Sequence, residues 1–368
     1  MKVFHCDHCG QLLFFENTQC VRCGKLVAYL PDLGLVGSLD EDPDQAGVWR
    51  SPLATASGRA YRLCDNYAGQ QVCNWAIGEG DAHTLCRSCR LTRVIPDLTQ
   101  PDHRQAWYRL EVAKRRLIFT LIELGLPIVS RDAEPAGGLA FEFKADAPDG
   151  HKALTGHADG VITINIAEAD DAEREQRRKS LHEPYRTLAG HVRHEVGHYY
   201  WDRLIKNCEP LERYRATFGD DRQDYGEALN SYYASGPPPD WQDRFISAYA
   251  SAHPLEDWAE TWAHYLHMVD TLETAAACGI ALEPRRADEP SLERISPFDV
   301  GHAEFDDLIE RWYPITYVLN NFNRGMGLAD AYPFVWSAPA IDKLRLVHDV
   351  VRRSSLPLST ASRQASDP

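Results

Sequence analysis

A predominantly helical α+β fold with a small β-sheet, preceded by cysteine-rich modules, is what the sequence predicts, and three observations predict it. Eight of the ten cysteines lie before residue 90. Two strand-like runs, 139–144 and 160–166, follow a long helical stretch. Beyond residue 170 the apolar residues recur almost everywhere at helical spacing. A small sheet followed by a run of helices marks α+β rather than alternating α/β organisation.

Taken in order, residues 1–30 form a first module. Cys6, Cys9, Cys20 and Cys23 are spaced C-x2-C-x10-C-x2-C and followed by Gly24. Two such pairs closing on one ion predict a structural zinc held by four thiolates. A second module, 31–98, opens with a stretch rich in Gly, Pro, Ser and Asp over 31–58, which reads as linker or long loop. It then supplies Cys64, Cys73, Cys86 and Cys89, of which only the last two form a tight pair. These predict a second structural zinc. Clustering of this kind in a reducing compartment means metal rather than disulfides. Cys208 and Cys278 stand alone and read as core residues.

The third domain, 99–353, begins with a helix over 102–125, where Trp107, Leu110, Val112, Leu117, Leu121 and Leu124 are helically spaced and Pro127 ends the run. The run 160–166 alternates apolar and polar residues as a half-buried strand does, and is expected beside a cleft where it could pair with an extended substrate. Further helices are expected over 184–206, 221–233, 238–250, 254–277, 303–324 and 338–353, and the tail 354–368 is expected to be flexible.

The bulk composition bounds the function. The 368 residues are 44% hydrophobic and 25% charged, an ordinary globular balance with material for about two to three domains. A net charge of −15 repels nucleic-acid phosphates and anionic membrane surfaces, and the charges of 1–95 nearly balance, so nucleic acid is not an expected partner. No run reaches the ~18 apolar residues that span a bilayer. The short run 117–124, preceded by Lys114, Arg115 and Arg116, reads as a buried helix, and no membrane is expected as partner. The first residues lack an apolar h-region and a cleavage site, which makes the cytoplasm the expected compartment.

The chemistry concentrates at His194-Glu195-Val196-Gly197-His198. Residues i and i+4 of a helix share a face, so both imidazoles can reach one ion, while Glu195 stands beside it to hold and deprotonate a water. Apolar and aromatic flanks (Leu188, Val192, Tyr199, Tyr200, Trp201) predict a buried helix, where His-Glu-His without a partner would be costly. Gly197 in mid-helix costs about 1 kcal/mol relative to alanine and implies close approach of another element. A catalytic zinc needs a third protein ligand. Trp201 and Leu204 stand where an extended H-E-x-x-H-x-x-G-x-x-H motif would have Gly and His. The candidates downstream are Glu256, Glu260 and His264, spaced by four on one aromatic-rich helix; Asp220, Asp221, Asp224 and His267 compete. Asp202, one turn past His198, reads as a residue supporting a ligand or as the salt-bridge partner of a nearby base.

An H-E-x-x-H helix paired with a later E-x-x-A-E helix resembles the gluzincin metallopeptidases, and Tyr249 followed by Glu256-Asp257-Trp258-Ala259-Glu260 is similar to their anthrax lethal factor-type domains. Nearly all of 1–350 resembles a bacterial family of zinc-binding metallopeptidases with an N-terminal zinc ribbon. Cys6 to Cys23, the segment 85–90, Arg193 to Asp202 and Ala252 to Thr261 carry that resemblance. It implies His194, His198 and Glu256 as ligands of a catalytic zinc, Glu195 as general base, Glu260 as the acceptor that orients a ligand histidine, and Tyr249 as hydrogen-bond donor to the oxyanion. The expected function is zinc-dependent hydrolysis of peptide bonds, with one catalytic and two structural zinc ions, on a peptide or protein substrate. A protein partner is expected at the ribbon. Two other functions use the same residues: a zinc amidase acting on a peptide tag or cross-link, and a non-enzymatic ribbon protein with a vestigial centre.

Overall fold

The structure, a computed structural model, describes residues 2–56, 58–147, 150, 152–180, 187–293 and 302–355, with the side chains of 177–180 set aside. The expected tail lies outside the described residues beyond 355, as do residues 184–186 of an expected helix. The fold is α+β, and the chain divides into two compact units: Met1–Arg116 with Ser130–Arg174, and Leu117–Val129 with Glu175–Pro368.

The first unit opens with a hairpin of β1 (Phe4–His5) and β2 (Leu12–Leu13). A five-stranded antiparallel sheet follows, in the order β3 (Leu26–Leu30), β4 (Leu35–Glu41), β5 (Trp49–Arg50), β6 (Ala60–Leu63), β7 (Ala76–Gly78). A bridge from Tyr29 to Trp75 draws its two ends together. The short helix α1 (Asp65–Ala68) lies between β6 and β7. Residues 31–58 are therefore not a linker: a boundary after residue 30 would cut the β3–β4 hairpin. Strand β4 is buried over four consecutive residues and shows no alternation, and the polar Ser38 within it is buried; its N–H and hydroxyl both donate to the Asp7 carboxylate, at 2.7 and 2.8 Å.

A second sheet has the order β10 (Gly156–Ala158), β11 (Val161–Asn165), β9 (Ala140–Lys144), β8 (Thr92–Val94). Strand β11 pairs in parallel with β9 and antiparallel with β10. Both its edges are thus taken, which corrects the expectation that it could receive an extended substrate. Helix α2 (His103–Glu123) runs from the first unit into the second, and α3 (Asp171–Ser180) spans the other junction.

The second unit is helical: α4 (Leu188–Leu204), α5 (Leu211–Phe218), α6 (Tyr225–Ser235), α7 (Pro254–Ala277), α8 (Phe305–Gly325) and α9 (Ala338–Ser355). Its core is an aromatic slab. Tyr200 stacks on Trp262 (4.7 Å between centroids), Tyr214 on Phe218 (5.1 Å), and Trp258 meets both Tyr214 and Phe218 edge-on. The helix expected over 238–250 is absent; only two single turns form, at Trp241–Asp243 and Tyr249–Ser251. The Arg244 carbonyl, which a helix would need, accepts instead from the buried Lys343 ammonium at 2.8 Å. Among the described residues no helix is long and apolar enough to cross a membrane.

Candidate active site

Two helices build the site. Helix α4 starts at Thr187, whose side chain accepts from the Gly190 N–H at 3.0 Å. Helix α7 starts at His253, whose Nδ1 accepts from the Leu255 N–H at 3.1 Å, with Pro254 in the first helical position. The helices cross at Gly197. A Cβ there would lie 2.9 Å from the Ala259 Cα and 3.2 Å from the Trp262 Cβ. The crossing is also tied by Trp258, whose indole N–H donates to the Gly197 carbonyl at 2.9 Å. Gly197→Ala should therefore destabilise the helical unit by about 1–3 kcal/mol, the usual scale for overpacking. In an isolated helix the same change would stabilise by about 1 kcal/mol. Urea unfolding followed by circular dichroism reads the sign, and a more stable variant would show that the backbones are not this close.

The crossing brings His194 and His198 of α4 against Glu256 of α7. His194 Nε2 lies 3.1 Å from one Glu256 oxygen and His198 Nε2 lies 3.5 Å from the other. The three candidate ligand atoms fall within 4.8 Å of one another. Ligands about 2.0–2.1 Å from a tetrahedral ion sit about 3.4 Å apart, so the trio fits zinc in size as well as in type. Glu256 is 1% exposed, and its Oε2, the oxygen that faces His194 Nε2 at 3.1 Å, accepts no hydrogen bond of good geometry. An orphaned carboxylate oxygen in such a position is costly unless a cation takes it. Burial raises the Glu256 carboxyl, but His198 and His194 outweigh it and hold it well below the usual range. Burial lowers His194, yet Glu256 and Glu260 outweigh it and push it well above the usual imidazole range. That negative field is the one a divalent cation would find.

Glu260, one turn on from Glu256, accepts from His194 Nδ1 at 2.7 Å and from the Ser247 hydroxyl at 2.6 Å. Burial raises its carboxyl, but His194 dominates and holds it at about 2. Glu195 is buried on α4, where burial raises its carboxyl less than His191, His194 and His198 lower it. Its Oε1 lies 3.2 Å from His191 Nε2. His191 was missed in the sequence, although its i−4 spacing from Glu195 was the available signal. Tyr225 was missed too: its hydroxyl donates to Glu256 Oε1 at 2.5 Å. Nothing local in the sequence signals that contact.

Tyr249 stands beside the trio, its ring centroid 5.9 Å from that of His194, and burial raises its hydroxyl above the usual phenol range. Asp202 is not drawn in; its carboxylate pairs with Lys206 at 3.0 Å, the ordinary i,i+4 partner on a helix surface. The competing acids are engaged elsewhere. Asp220 pairs with Arg222, Asp221 pairs with Arg215, and Asp224 caps α6 by accepting from the Glu227 N–H at 2.7 Å. His264 bonds the Tyr332 hydroxyl and is lowered to about 4 by burial, while His267 bonds Arg193.

The cysteines gather into the two expected groups, Cys6/Cys9/Cys20/Cys23 and Cys64/Cys73/Cys86/Cys89, while Cys208 and Cys278 are exposed rather than in the core. The Sγ separations of 3.7 Å (Cys6–Cys23), 3.6 Å (Cys9–Cys20) and 3.8 Å (Cys73–Cys86) are far too long for disulfides. They match the spacing of about 3.8 Å for four sulfurs about 2.3 Å from one tetrahedral ion. Gly10 and Gly24, each just after a pair, take φ of 72° and 74° and let the chain turn back under the sulfurs. In the second group all four thiols are buried, and backbone N–H groups of Trp75, Cys86 and Cys89 point at sulfur.

Comparison with known proteins gives two family matches. Residues 103–350 match the family described as "Putative zinc-binding metallo-peptidase", and residues 3–100 match a zinc-ribbon domain. Uncharacterized proteins of Mycobacterium bovis and of two Mycobacterium tuberculosis strains are each 44% identical to the chain over 352 residues, 95% of this chain and 95% of theirs. No solved structure matches it.

Proposed function

The chain belongs to that zinc-binding metallo-peptidase family, and from this premise we propose that it hydrolyses peptide bonds at a centre formed by His194, His198 and Glu256. The observation that carries the proposal is the buried trio of two imidazoles and an orphaned carboxylate oxygen within reach of one ion. A zinc ion bound there would acidify a water and polarise a carbonyl. The chain's own residues do the rest. Glu195, ionised at neutral pH, takes the proton of the attacking water and delivers it to the leaving amine. Glu260 fixes the tautomer and orientation of His194 through Nδ1. Tyr249 donates a hydrogen bond to the oxygen that becomes negative as the carbonyl carbon turns tetrahedral. This division of labour is the gluzincin one. The two cysteine groups hold structural zinc, and the ribbon is a surface for a protein partner.

Elemental analysis tests the ligand set. The purified chain should carry three zinc ions and Glu256→Ala about two, with hydrolysis of an unstructured protein such as casein lost in the variant. An unchanged metal count would remove Glu256 from the centre. A chain with three zinc ions that cleaves no peptide would defeat the peptidase reading itself.

A further inference from the structure

Helix α6 lies over the site in an unusual way. None of its residues is buried, so its docking rests on a few contacts. Tyr225, Ala228, Leu229 and Tyr232 share one face by their spacing, and the last three are half-buried. At one end of that face the Tyr232 ring meets the Tyr249 ring at 5.7 Å. At the other, the Tyr225 ring packs edge-on against His253, the cap of α7, at 5.2 Å. His253 Nε2 in turn lies 3.3 Å from the Gln223 carbonyl in the lead-in to α6. The polar contact this packing delivers is the 2.5 Å hydrogen bond from the Tyr225 hydroxyl to Glu256 Oε1. The two oxygens of Glu256 are thus unequal: Oε1 accepts from Tyr225 and lies 3.5 Å from His198 Nε2, while Oε2 faces His194 Nε2 at 3.1 Å and accepts no hydrogen bond of good geometry.

We infer that Tyr225 is a positioning residue that fixes Glu256 as a one-oxygen ligand, holding Oε1 and leaving Oε2 for the metal. The inference rests on the metal centre proposed above. A carboxylate whose second oxygen is free can rotate or bind through both oxygens, so an outer hydrogen bond sets both its orientation and its denticity. The geometry suits that role. The phenol is long enough to reach a buried carboxylate from a residue that is itself 42% exposed, so α6 supplies the bond from outside the aromatic core.

Tyr225→Phe in the full chain removes the hydroxyl and keeps the ring against His253. The affinity for the one zinc that Glu256→Ala lacks, measured by chelator competition, should fall by about 10–100-fold, the usual cost of losing an outer-shell partner. Cobalt substituted at that position should show an altered visible absorption band, which a loss of packing alone would not produce. The melting temperature of the metal-free chain should stay close to that of the unaltered chain. A zinc affinity within threefold of the unaltered chain together with a superimposable cobalt spectrum would overturn the inference. Neither readout needs a substrate, so the two proposals fail separately. A chain that cleaves no peptide yet loses zinc affinity in Tyr225→Phe defeats only the peptidase reading. A competent peptidase whose metal ignores Tyr225→Phe defeats only this inference.

Discussion

Glu195→Gln should abolish measurable peptide hydrolysis while leaving three zinc ions per chain. The expected loss is about 10²–10⁴-fold in kcat, the scale of general acid–base catalysis. The substitution is nearly isosteric, and the position is buried on the inner face of α4, so no solvent base can step in. It also isolates proton transfer from metal binding, because Glu195 is not among the three clustered ligand atoms. Its carboxylate pairs with His191, which an amide can still contact. Casein cleavage and elemental analysis on the same preparation decide the matter. Activity within tenfold of the unaltered chain would assign the base elsewhere, and loss of one zinc would make Glu195 a ligand. Tyr249→Phe is the milder counterpart: kcat should fall with the metal count unchanged, and an unaltered kcat would return Tyr249 to a packing role.

Cys86→Ser should have the largest effect on stability. Structural zinc in small domains contributes about 10–16 kcal/mol of apparent binding free energy at neutral pH, and that energy is folding energy. All four cysteines of the second group are buried, in a unit whose sheets are small. Without the ion, three neutral thiols and a hydroxyl are left buried, with the metal bonds that tied their loops together gone. The variant should lose one zinc and become sensitive to limited proteolysis within residues 1–100. Cys9, in the other group, is only half-buried, and Cys9→Ser should open the chain less. A Cys86→Ser chain that keeps its zinc and its protease resistance would show that the second group is not a metal site.

Much of this was legible in the sequence, for identifiable reasons. Helix α7 was read with its bounds intact because Pro254 marks its start and its apolar residues keep helical period over six turns. The four-residue steps from His194 to His198 and from Glu256 to Glu260 placed each pair on one helix face. Gly197 signalled the crossing because mid-helix glycine has a cost that only close approach repays. The losses are as specific. Strand β4 was hidden because it is buried without alternation and includes a serine whose polarity is satisfied by an aspartate in the first cysteine pair. The missing helix over 238–250 failed because one of its carbonyls belongs to a distant lysine. Tyr225 could not be found locally, since its partner lies on another helix after an intervening loop. Long-range polar contacts leave no periodic trace, and they are what separates a helix list from a site.

The crossing of α4 and α7 has a consequence for the order of assembly. Helix α4 alone supplies two of the three clustered ligand atoms, but the third is on α7, as is Glu260, which holds His194 from 66 residues further along the chain. Loop closure over such a span must come before its contacts can repay it. At the proposed centre, packing of the tryptophan and tyrosine slab would therefore precede loading of the ion. By contrast the first cysteine group closes within 17 residues and can capture its ion as soon as it emerges. If all three groups bind zinc as proposed, metal acquisition would run from the start of the chain inward, with the proposed catalytic ion last. On the proposed reading, a chain that has not packed its core could not yet hold the ion that would let it cut its neighbours.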